Sequence, residues 1–140
     1  MKKIILVFAT MMFLFSCSSE TEKVPEDNET EEVDIIVGSW KFIKKKGEEA
    51  INNCDFQDTY VFRKDNSYSF NDYNDNSGLC EKDAKESRKG YWKNNNNKTY
   101  NIKIQGYEGN GADLNIIFSD DNQELTFSNN GFTYRKSPSI

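Results

Sequence analysis

Eight short segments of this chain alternate apolar and polar residues with a period of two, and Asn-, Asp- and Gly-rich breaks separate them. Successive side chains of a strand point to opposite faces, so this period selects strands that bury one face. The clearest run is Tyr100-Asn101-Ile102-Lys103-Ile104-Gln105. The others are Gly38–Phe42, Thr59–Arg63, Ser67–Phe70, Gly90–Trp92, Leu114–Phe118, Glu124–Phe127 and Phe132–Arg135. Breaks such as Lys64-Asp65-Asn66, Asn94 to Asn97 and Asn129-Asn130-Gly131 supply residues that tolerate positive φ, as tight hairpins require. A helical turn is expected only at Val33–Val37, and polar loops are expected at 71–88 and 106–113. Taking one face from each strand collects Trp40, Phe42, Tyr60, Phe62, Tyr68, Phe70, Trp92 and their apolar counterparts further on. A sheet closed on itself buries all of them and leaves no edge. The expected fold is all-β, a small up-and-down antiparallel barrel of eight strands.

Both ends differ from this body. Lys2 and Lys3 precede an apolar run from Ile4 to Phe15, interrupted only by Thr10. Twelve residues are too few for a membrane-spanning helix, which needs about 20, but they suit the apolar region of a signal peptide. The run ends Leu14-Phe15-Ser16-Cys17, which resembles a bacterial lipobox. Residues 1–16 then read as a lipoprotein signal peptide and Cys17 as the lipidated N-terminus. Several acyl chains together hold a protein firmly at a membrane. Residues 17–34 carry eight acids against Lys23 alone and read as an extended acidic tether. Ser18-Ser19-Glu20 and the acids after it resemble export signals of surface lipoproteins, which implies the outer face of the outer membrane; a plain spacer is the alternative. The domain then occupies residues 35–140.

The whole chain has a net charge of −5, but the acidity belongs to the tether. The part beyond it holds fifteen acids and fifteen bases. No basic surface points to nucleic acid. Lipidation uses one of the three cysteines, which leaves Cys54 and Cys80 as a disulfide pair in an oxidising compartment.

The residues Gly38-Ser39-Trp40 just after a short turn, the hairpin from Tyr60 to Phe70 bracketed by Cys54 and Cys80, Gly90-Tyr91-Trp92, and the closing Phe132-Thr133-Tyr134-Arg135-Lys136 together resemble the lipocalin-like lipoproteins of Bacteroidetes over about residues 36–136. The resemblance implies a barrel whose lumen takes a small apolar ligand. It also implies that Arg135, from the last strand, covers Trp40 at the closed end. On this reading Trp40, Tyr60, Phe62, Tyr68 and Trp92 are the ligand-facing walls. The same aromatics also suffice to fill a small barrel as plain core.

Nothing points to catalysis. The chain has no histidine, no phosphate-binding glycine loop and no nucleophile motif. No cofactor or metal site is expected. Asp72 to Gly78 looks like a calcium loop, but its glycine falls one place late and Glu81 too early. Two functions remain: an envelope lipoprotein whose barrel holds a small hydrophobic molecule, or a filled barrel that engages or inhibits another envelope protein through its loops. The anchor is tested directly. Cells fed labelled palmitate should tag the wild-type chain and lose the tag with Cys17→Ser; a tag that survives this change contradicts lipidation at Cys17.

Overall fold

The computed structural model describes residues 32–47 and 52–138. The signal peptide, Cys17 and the tether up to residue 31 lie outside the described residues. Eight strands follow in order: β1 (Gly38–Lys45), β2 (Thr59–Phe62), β3 (Ser67–Asn76), β4 (Leu79–Asn94), β5 (Thr99–Ile104), β6 (Ala112–Phe118), β7 (Glu124–Phe127) and β8 (Phe132–Lys136). Each pairs antiparallel with the next, and β8 returns to β1, giving a closed up-and-down barrel. All eight strands expected from the alternation are present.

The largest difference from expectation lies at residues 71–88. This stretch is not a loop but a β-ribbon. β3 and β4 continue past the barrel wall and pair from Asp72↔Asp83 to Asn76↔Leu79. The hairpin turns at Ser77 and Gly78, both with positive φ (56° and 85°), the geometry that matches the twist of a two-residue hairpin. A register shift between Phe70 and Asp72 marks where the ribbon leaves the wall, and the Ser87 hydroxyl there accepts the Asp72 N–H at 3.1 Å. The sequence hid the ribbon because both of its faces are polar. A short 3₁₀ turn, Asp55–Gln57, precedes β2. The expected disulfide joins Cys54, beside that turn, to Cys80 on the ribbon.

The opposite end is closed by the segment before β1. A single turn at residues 34–37 is pinned by the Val37 N–H donating to the Asp34 carbonyl at 2.9 Å. The Asp34 carboxylate accepts the Ile36 N–H (3.0 Å), the Tyr100 hydroxyl (3.0 Å) and the Asn94 side-chain amide (2.6 Å). Asp34, the last residue of the expected tether, is therefore fixed to the barrel, and the compact unit begins at Glu32. Ile36 is fully buried, and its carbonyl accepts the Trp40 indole N–H at 2.7 Å. Trp40 is 0% exposed.

The cation over Trp40 is Lys136, not Arg135. The Lys136 Nζ lies 5.0 Å from the indole centroid, within range for a cation–π contact. Alternation explains the offset. Tyr134 points inward, so Arg135 points out and binds Glu124 at 2.6 Å on the surface, while Lys136 turns back in.

A second inward position is set by Gly90, opposite Tyr68 on β3. A Cβ there would sit 1.9 Å from the Lys103 carbonyl oxygen and 2.8 Å from the Tyr68 ring, so only glycine leaves room for both.

The disulfide closes a sequence separation of 26 residues, for which the chain-entropy model gives about 3–4 kcal/mol. Cys54→Ser with Cys80→Ser should lower the unfolding free energy in urea by about that amount, with the slope rising as the unfolded state expands. An unchanged midpoint would mean that the bridge adds nothing to this fold.

Candidate functional site: the barrel mouth

The inward face divides into two layers. Toward the closed end, rings pack edge to face or tilted against one another: Trp40 with Phe118 (6.1 Å between centroids), Phe118 with Tyr100 (6.2 Å), Tyr100 with Trp92 (6.2 Å) and Trp92 with Phe62 (6.2 Å). Fully buried Leu125 and nearly buried Ile116 fill the space among them. The Trp92 indole N–H donates to the Arg63 carbonyl at 3.1 Å. This layer is packed core. Of the expected wall residues, Trp40, Phe62 and Trp92 stand in it.

The upper layer is centred on Tyr60. Its ring stacks on Phe70 at 4.5 Å and on Phe62 at 5.7 Å. Tyr134 and Phe127 meet it edge-on at 5.2 and 5.3 Å. Phe42 and Phe132 continue the wall, and the half-exposed Phe56 of the 3₁₀ turn stands against Phe42. Tyr68 bridges the two layers. Tyr60 and Tyr68 are thus the two expected wall residues that reach the mouth.

The three tyrosines here share one property. No hydrogen bond joins the Tyr60, Tyr68 or Tyr134 hydroxyl to any described residue, although Tyr134 is only 2% and Tyr68 only 3% exposed. Among the described residues no side-chain polar atom is sealed from solvent without a partner. A buried hydroxyl lacking a partner carries a desolvation penalty, so these hydroxyl ends must meet water-accessible space. Burial, more than any neighbour, pushes all three phenols above their ordinary range.

Charged residues form the rim. Asp58 precedes Tyr60 by two residues, Asp72 follows Phe70 by two, and Arg88 is the cross-strand partner of Phe70. Alternation carries all three onto the inward side. Asp58 also ties the rim together: its carbonyl accepts the Phe42 N–H at 2.9 Å and its carboxylate the Tyr73 N–H at 2.8 Å. Alternation past the last aromatic of β2 and β3 identifies these acids from the sequence, although Asp72 falls in the stretch expected to be a loop. The calcium-like segment does not form a loop. Its acids are used within the ribbon; the Asp75 carboxylate, for example, accepts the Gly78 N–H. Among the described residues no group of three metal-ligating side chains comes together.

The clefts bounded by described residues lie outside the lumen. One of about 290 Å³ runs beside the mouth, between Phe70, Arg88 and the ribbon residues Ala84 and Ser87. Another, of about 420 Å³, lies at the closed end near Tyr100 and Asn94.

Partial burial, opposed by the Tyr73 N–H and aided by Asp72 and Asp55, pushes the Asp58 carboxyl from 3.8 up to about 7. The folded state therefore holds a proton that the unfolded chain has already lost between those values. Stability should fall as pH rises from about 4 to about 7 and level off above. Asp58→Asn should flatten that slope and be the more stable form at pH 8. Denaturation midpoints at pH 5 and pH 8 check this; a wild-type protein that gains stability over that interval contradicts it.

A search among curated proteins finds no match, and neither does a search among solved structures. The family model described as a lipocalin-like domain matches residues 36–127, from the turn that caps Trp40 to the end of β7. The match covers well over half of the 140 residues, and the closed eight-stranded barrel is the architecture that this family implies. The chain belongs to the lipocalin-like domain family.

Proposed function

We propose that this protein is a lipid-anchored binder of small amphiphilic molecules in the bacterial outer envelope, taking its ligand at the barrel mouth. The observation that carries this reading is the upper layer: an aromatic wall around Tyr60 in which three tyrosine hydroxyls have no hydrogen-bond partner among the described residues. Family membership supports the same reading. An apolar molecule gains on the order of 25 cal/mol per Å² that it removes from water, and a polar end would satisfy the hydroxyls. The packed lower layer restricts the ligand to a shallow seat, with no deep calyx. The role is binding without catalysis, in keeping with a chain that has no histidine. The anchor is Cys17, and the expected location is the outer membrane, on its surface if the acidic segment directs export.

A second reading has one specific observation behind it. The ribbon of β3 and β4 projects beyond the wall and presents Leu79, 67% exposed, beside its turn. A protein partner in the envelope would meet that ribbon first.

Native mass spectrometry of the protein purified from a periplasm separates these readings. Extra mass of lipid size, lost on denaturation and lost again in Tyr60→Ala with Tyr134→Phe, supports mouth binding. A clean protein mass, together with no displacement of a neutral fluorescent dye, contradicts it. If Leu79→Asp then abolishes co-purification of an envelope protein, the ribbon is the working surface.

A further inference from the structure

The rim of the mouth brings like charges together. Asp58 extends the inward face of β2 and Asp72 that of β3, while Asp55 stands on the adjoining 3₁₀ turn. Burial raises both carboxyls; Asp72 and Asp55 add to it at Asp58, and Asp83, Glu86 and Asp55 add to it at Asp72, where Arg88 opposes them. The nearest rim cation is Arg88, and its guanidinium is already engaged, by the Glu86 carboxylate at 3.0 Å and by the Lys85 and Ser87 carbonyls. Lys45 lies over the Phe132 ring at 5.2 Å. Below the acids, Tyr134 is nine-tenths buried, its hydroxyl has no partner among the described residues, and Asp58, Asp72 and Asp55 add to the burial that raises it.

We propose that the mouth selects a small organic cation, its ammonium facing Asp58 and Asp72 and its apolar body lying along the aromatic wall beside Phe70. This inference rests on the reading of the mouth as a ligand site and adds the sign of the ligand's charge. Three features agree. A cation relieves the repulsion between the carboxylates. The tyrosine hydroxyls accept its N–H donors, and the ring faces attract positive charge. An anionic head, such as a fatty-acid carboxylate, would instead meet the acids with Arg88 already occupied. A bare metal ion fits poorly, because no three ligating side chains converge among the described residues.

The test uses the full chain carrying Cys17→Ser, so that no anchor lipid competes, and three probes of matched shape. They are 3-phenylpropylamine (a cation near neutral pH), 3-phenylpropanoate and the neutral 3-phenylpropanamide, each titrated calorimetrically at pH 8. The amine should bind roughly tenfold more tightly than either of the others, the ratio expected for one desolvated charge contact. Asp58→Asn and Asp72→Asn should each weaken the amine about fivefold or more and narrow its advantage over the amide. Tyr134→Phe, which keeps the ring, should also weaken the amine. Amide or propanoate binding as tight as the amine overturns the cation and leaves the mouth standing as a ligand site. Failure of all three probes, in a protein that still carries a neutral apolar cargo, has the same meaning. Failure of the probes, cargo and dye together overturns both.

Discussion

The pairing of β1 with β8 is the constraint on which the rest of the molecule depends. It turns a meander of eight short strands into a barrel with one interior, so every inward side chain must find its partners there. Most of those side chains are aromatic. Rings are large, and each contributes both buried area and a preferred geometry to its neighbours. In a barrel this small they meet one another, and the interior becomes a continuous stack of rings from Trp40 to Phe132.

The two ends solve different problems with the same strands. At the closed end the polar groups are matched. Asp34 takes three donors, Trp40 gives its N–H to Ile36, and Lys136 lies over the indole. At the mouth fewer are matched. Three tyrosine hydroxyls have no partner among the described residues, and the Asp72 charge adds to the burial that raises Asp58. The disulfide sits at this end, joining the segment that leads into Asp58 to the ribbon that continues from Asp72.

Most of the barrel was legible in the sequence because alternation is a strong signal wherever one face is buried. All eight strands and the inward aromatics follow from it, while the cysteine pair follows from the count that lipidation leaves. What escaped did so for physical reasons. The ribbon at 72–83 buries neither face, so its Asp, Asn and Lys residues carry no alternation and read as loop. Asp34 is one acid in an acidic run, and nothing local separates a capping carboxylate from a solvated one. The cation over Trp40 was assigned to Arg135 through the family resemblance, although the inward Tyr134 already pointed to Lys136. The mouth acids were legible in principle, since Asp58 and Asp72 lie one inward step beyond Tyr60 and Phe70. They were passed over because carboxylates on an inward face run against the usual rule that charges stay outside.

The central claim is that the barrel is a packed core below and a ligand seat above. The most direct measurement is an NMR map of the aromatic and indole resonances during titration with a ligand that binds. Shifts confined to Tyr60, Phe70 and Tyr134, with the Trp40 and Trp92 indole N–H signals unmoved, are the predicted result. Large shifts at Trp40 and Trp92 would place the ligand deep in the barrel and contradict the account.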